Sequence, residues 1–172
     1  MPALSSGSVS KESPMSLSPK AGPGHQRLRR FIGAWSGPER ANAGDAPAST
    51  GHVRFQPDVE GLVLLQEYRQ EVEGRIVFRG HGVMTIAPDS GDVLWWWFDS
   101  HDMPPLTPAH GRWEGETLIF EHETPQLALR HRYAFDGADR YRFSVEVRRP
   151  GETGFEPFLD ADYRHERLGL HA

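Results

Sequence analysis

The sequence predicts an all-β fold: an up-and-down antiparallel β-barrel of about ten strands, with a short N-terminal helix closing one end. Three observations carry this. After Gly33 the apolar residues recur with period two rather than the helical 3.6. Turn signals break the chain at short intervals, at Glu73-Gly74, Pro88-Asp89-Ser90-Gly91, Glu114-Gly115, Asp136-Gly137 and Pro150-Gly151. Consecutive hairpins without long crossovers favour a barrel, which leaves no exposed sheet edge.

The elements follow in chain order. Residues 1–23 hold seven Ser, four Pro and two Gly with almost no large apolar side chain, so they cannot offset their ordering entropy and are expected to be a disordered tail. Residues 24–172 form a single barrel domain. A helix is expected over 24–32, where Leu28, Phe31 and Ile32 make one apolar stripe, Arg29 and Arg30 suit its negative end, and Gly33 stops it.

Strands are expected at 34–40, 50–57, 61–72, 75–87, 92–99, 107–114, 116–123, 127–136, 139–148 and 154–166. The clearest is 139–148, where Tyr141, Phe143, Val145 and Val147 oppose Arg140, Arg142, Ser144, Glu146 and Arg148. Leu118, Phe120 and His122 share a face, as do Leu129, His131, Tyr133 and Phe135. Phe155, Leu159, Ala161, Tyr163 and His165 are expected to share another.

Composition narrows the function classes. A chain of 172 residues with 37% hydrophobic and 10% aromatic residues can bury a sizeable core. A net charge of −5 and a pI near 6.0 argue against nucleic acid as a partner. The absence of cysteine removes disulfides, thiolate nucleophiles and cysteine metal sites. No secretory h-region or long apolar run is present, so a cytoplasmic protein without a membrane partner is expected. The runs Arg27/Arg29/Arg30 and Arg148-Arg149 read as solvated surface.

The stretches His25…Leu28…Phe31-Ile32-Gly33-Ala34-Trp35-Ser36-Gly37, Phe78-Arg79-Gly80-His81-Gly82, Trp95-Trp96-Trp97-Phe98-Asp99-Ser100, Gly111-Arg112-Trp113-Glu114-Gly115 and Gly137 to Phe143 resemble the bacterial DUF1579 family. The resemblance spans about 24–166 and implies a calycin, or lipocalin-like, barrel; it implies no activity. The opening helix-Gly-X-Trp-X-Gly is more distantly similar to nitrobindin-type haem-binding barrels.

A barrel of this size can hold a small ligand, and the chemistry-bearing residues cluster on a few strands. Arg79 and His81 share a strand face, and a hairpin at Glu73-Gly74 sets residues near 67–69 opposite 79–81. Two readings stand: that face is solvated, or it points inward, where Arg79 needs Glu67 as a partner because a buried unpaired charge is costly. An inward Arg–Glu–His cluster could bind a carboxylate or do acid–base work. Trp95, Trp97 and Asp99 share a face that either fills the core or lines a pocket. Asp99-Ser100-His101-Asp102 forms a polar mouth, with Met103-Pro104-Pro105-Leu106 as a stiff loop over it.

The leading expectation is a cavity that binds a partly apolar small molecule, with Glu67, Arg79, His81, Trp95, Trp97, Asp99, His131 and Tyr133 as contacts. The first alternative is an isomerase, cyclase or hydrolase working through His81 with Glu67 or Asp99. The second is a haem barrel with His131 or His165 as axial ligand. No metal site and no cofactor are otherwise expected, and an outer sheet face could pair in a homodimer.

Overall fold

The computed structural model describes residues 20–42, 47–102 and 104–166. Most of the tail expected over 1–23 lies outside those residues, as does Met103 of the loop over the mouth. The chain enters through helix α1 (Pro23–Leu28) and a 3-10 turn, Arg29–Phe31. Ten strands follow: β1 (Gly33–Ala41), β2 (Ser49–Asp58), β3 (Val63–Val72), β4 (Arg75–Ile86), β5 (Val93–Asp99), β6 (Ala109–Glu114), β7 (Thr117–Glu123), β8 (Ala128–Phe135), β9 (Arg140–Arg148) and β10 (Glu156–His165). Each pairs antiparallel with its sequence neighbours, and β1 pairs with both β2 and β10, closing the barrel. The up-and-down topology is therefore as the hairpin signals require.

The two ends differ from the start. Helix and 3-10 turn plug the end where β1 begins. Phe31, fully buried, has ring centroids of Phe55, Phe135 and Tyr133 at 4.9, 4.8 and 5.3 Å. Trp35 donates its indole N–H to the Phe31 carbonyl at 2.7 Å, locking the plug to β1. Gly33, at φ +127°, turns the chain from plug into strand, and a Cβ there would meet His165 Nε2 at 2.1 Å, so only glycine fits. Arg27 and Arg30, expected as solvated surface, are only partly so. Their guanidinium groups lie over Trp113 and Phe135 at 4.1 and 4.6 Å, while Arg27 donates to the Gly115 carbonyl and Arg30 pairs with Glu116. Four contacts thus bolt the helix across the β6–β7 turn.

Side-chain alternation decides what lies inside. The Trp95/Trp97, Leu118/Phe120/His122, Leu129/His131/Tyr133/Phe135 and Tyr141/Phe143/Val145/Val147 faces all point inward. Phe155 is a correction: it was grouped with the inward residues of β10, but the register shifts between Pro157 and Leu159. Pro157 pairs with the outward Glu146 and Leu159 with the inward Val145, so the bulge reverses the phase. Phe155 instead packs outside under Arg130 and Arg148, 3.9 and 5.1 Å from its ring.

Candidate functional site

The inward row of β1 runs Trp35, Gly37, Glu39, and ends in a carboxyl group that is 1% exposed. The surrounding strands turn donors toward it. Tyr68 of β3 donates its hydroxyl at 2.8 Å to Oε1, with Oε2 at 2.9 Å. Gln70 donates at 2.8 Å to Oε2, Ser49 at 3.3 Å, and Tyr163 of β10 donates to Oε1. The cluster closes only because Gly51 has no side chain: a Cβ there would lie 2.1 Å from the Tyr163 hydroxyl and 2.2 Å from Glu39 Oε1. Burial first, and Glu39 next, push the Tyr68 and Tyr163 hydroxyls far above the ordinary tyrosine range, so both stay protonated donors.

Deeper in the barrel, polar atoms are left without partners among the described residues. They are Gln66 Oε1, Trp95 Nε1, His131 Nδ1 and Tyr141 Oη, with Trp113 Nε1 nearer the plug. Gln66 is 4% exposed and reaches one partner, the Tyr133 hydroxyl, at 3.4 Å. Gly82 lies between Gln66 and Trp95: its missing Cβ would sit 2.5 Å from Trp95 Nε1 and 2.6 Å from Gln66 Oε1. An unpartnered buried polar group costs about 1–3 kcal/mol unless water or a ligand meets it. Burial, with His122 adding, lowers the His131 imidazole to about 4, so it is neutral at ordinary pH.

At the open end the inward residues are only half-buried: Phe78, Trp97, His122, Leu129, Phe143 and Leu159. Trp97 donates its indole N–H to Asp99 Oδ2 at 2.9 Å, and Asp99 Oδ1 accepts from the His101 backbone at 2.9 Å. Asp99 is thus a rim anchor that holds the Trp97 ring, and it is not placed as a free base. Ser100 is tied to the Arg79 backbone at 3.1 Å. Among the described buried residues there is no arginine and no lysine.

The sequence-derived site divides between two surfaces. Trp95, Trp97, Asp99, His131 and Tyr133 are inside. Glu67, Arg79 and His81 are outside, all three exposed, which corrects the inward reading. The reason lies in the two glycines that flank His81. Gly80 and Gly82 take the inward positions because a Cβ on Gly80 would stand 2.1 Å from the Trp97 ring, and the Trp95 indole claims the same room at Gly82. The pairing itself agrees with the hairpin arithmetic, with Glu67 opposite His81 and Arg69 opposite Arg79. A His81–Asp99 acid–base pair is ruled out by register. His81 faces Phe98 on the outside, while Asp99 lies opposite Gly80 on the inner face.

A hollow among the described residues lies on this outer surface. It is a trough of about 580 Å³ lined by two rows of side chains across β1–β4. One row is Ala34, Arg54, Glu67 and His81; the other is His52, Arg69 and Arg79. The intervening row, Trp35, Val53, Tyr68 and Gly80, turns its side chains inward and leaves backbone as the floor.

Of the two imidazoles raised as haem ligands, His165 does not fit. Its ring packs edge-on against Trp35 at 4.7 Å and its Nε2 lies 3.3 Å from the Ile32 carbonyl. His131 lies between Trp95, edge-on at 5.1 Å, and Phe143, stacked at 6.2 Å. That enclosure suits a hydrogen bond to a small guest rather than a planar macrocycle.

Sequence reasoning missed Glu39, Gln66, Tyr68 and Tyr141. For Glu39 a signal existed: it sits two and four residues beyond Gly37 and Trp35, on the face that Trp35 marks as buried. Among the described residues no helix is long and apolar enough to cross a membrane.

Solved structures of similar shape include Rv2717c from M. tuberculosis, with 17% identity and a TM-score of 0.66 over 85% of this chain and 99% of that one. An S-type phycobiliprotein lyase from Guillardia theta aligns with 9% identity and a TM-score of 0.59, over 83% of this chain and 92% of that one. At such identities the likeness shows the fold alone. No curated protein matches the chain. The profile of a family described as "Protein of unknown function (DUF1579)" matches residues 20–165, nearly the whole barrel and its plug, and the chain belongs to the DUF1579 family.

Proposed function

We propose that the protein binds a small, neutral, partly apolar molecule inside the barrel, entering by the open end. The observation that carries this is the set of buried, unpartnered polar atoms on Gln66, Trp95, His131 and Tyr141. They include an acceptor, an indole donor, an imidazole nitrogen and a hydroxyl, each able to hydrogen-bond a polar group of a guest. The half-buried rings of Trp97, Phe78 and Phe143 supply apolar wall above them. The guest is neutral because no buried cation would match an anion, and the carboxyl groups of Glu39 and Asp99 already accept from the protein's own donors.

The test is an NMR titration of the indole N–H signals with phenol, a neutral ring bearing one hydroxyl. The Trp95 and Trp97 signals shift saturably, and that of Trp96, on the outer face of the same strand, does not. Shifts confined to Trp96, or none up to the solubility of phenol, would falsify the proposal. An enzymatic reading has no comparable support, since its expected base, His81, stands outside the barrel away from these atoms.

A further inference from the structure

We propose a second site, on the outer face of β2–β4, that binds the phosphate group of a phosphorylated small molecule. Ion pairing around the barrel is uneven. The six arginines of β6, β8 and β9 each make an ion pair, from Arg112 with Asp92 to Arg148 with Glu123. The four arginines of β2, β3 and β4 make none among the described residues. Three of these four, Arg54, Arg69 and Arg79, line the trough.

Register sharpens the contrast. His52, Arg69 and Arg79 are directly opposite one another across three adjacent strands, on the solvent side. Glu71 faces His52 at 3.4 Å, but Arg69 and Arg79, directly opposite one another, keep no ion pair among the described residues; like charges so placed destabilise a sheet, and a chain that keeps them breaks a local rule. Such a row over a hollow is the arrangement a bound anion would relieve. Guanidinium groups suit phosphate because their paired N–H donors match two of its oxygens.

The dimensions favour a small molecule. The trough is about 580 Å³, within the roughly 300–1,000 Å³ of small-molecule sites. It spans four strands, which at about 4.8 Å per strand gives roughly 14 Å from β1 to β4. The net charge of −5 sets the rest of the surface against a long polyanion. Glu67, between Arg54 and His81 in the facing row, makes no ion pair among the described residues and offers an acceptor for a hydroxyl beside the phosphate. Glu166 lines the trough beside Ala34, whose carbonyl accepts its backbone N–H at 2.7 Å.

The probe is inorganic pyrophosphate, titrated calorimetrically at low ionic strength. Saturable one-to-one binding is expected, at least tenfold weaker in Arg69→Gln and in Arg79→Gln. Arg112→Gln, which changes an exposed arginine on another face, leaves it unchanged. These side chains are exposed, so the variants fold, and their unaltered response to phenol would show that the interior is intact. Absence of saturable binding would overturn the proposal, as would equal weakening in Arg112→Gln. Tighter binding of heparin with the same dependence on Arg69 and Arg79 would overturn it too, by identifying an extended polyanion surface.

Discussion

The plugged and open ends of the barrel are built from the same ten strands but hold different chemistry. At the plugged end Phe31, Trp35, Phe55 and Tyr141 are at most 1% exposed and in ring-to-ring contact. At the open end the inward rings are half-buried and a carboxyl group is held by four neutral side chains, while between the ends Gln66, Trp95 and His131 leave polar atoms without partners among the described residues. Close packing stabilises the first end, whereas the second leaves its rings partly in water. Stability and binding are therefore separable by position along each strand.

The largest effect should come from the plug. Phe31→Ala removes a ring with several aromatic neighbours, and a Phe→Ala change in a core costs about 3–5 kcal/mol. Phe78→Ala at the mouth is expected to cost about 1 kcal/mol or less, because that ring is already partly in water. Urea denaturation of both variants checks the comparison, and equal losses would break it.

Next comes pH. His131 titrates near 6.5 when unfolded and near 4 when folded. Between these values the unfolded chain holds the extra proton, so stability is full above 6.5 and falls as pH drops toward 4. At 1.36 kcal/mol per pKa unit, the loss is up to about 3 kcal/mol. In His131→Phe the dependence over this window should flatten; denaturant midpoints at about pH 4.5 and about pH 7 would reveal it.

The strand pattern of the whole barrel was legible because period two and hairpin chemistry are local. Every expected strand has its counterpart, with ends differing by a few residues. Which face of β4 points inward was not legible, because apolar and charged residues alternate with glycines there. The deciding fact is tertiary: Trp97 and Trp95, on the next strand, need the space that Gly80 and Gly82 leave. Glu39 shares the face of Trp35, but an acid there reads as buried only once its partners are known. Its four donors come from β2, β3 and β10, far apart in sequence. The phase reversal at Phe155 rests on a bulge that alternation alone does not announce.

A smaller effect sharpens the link between β4 and the mouth. Gly80→Ala puts a methyl group 2.1 Å from the present position of the Trp97 ring, so the ring must shift. A cost of about 1–3 kcal/mol is expected, together with a displaced Trp97 indole signal and a weaker phenol response. An unmoved signal would contradict the close approach. The smallest effect belongs to the outside. Arg130→Gln removes surface ion pairs with Glu121 and Glu146 and should cost below about 1 kcal/mol, with the phenol response unchanged.

The most direct measurement is a crystal structure of the protein grown with phenol. The account predicts the ring beside Trp97 and Phe143, with its hydroxyl within hydrogen-bonding reach of Trp95 Nε1, Gln66 Oε1 or His131 Nδ1. Ordered water alone at those atoms, with phenol absent from the barrel or held only on the outer face, would contradict it.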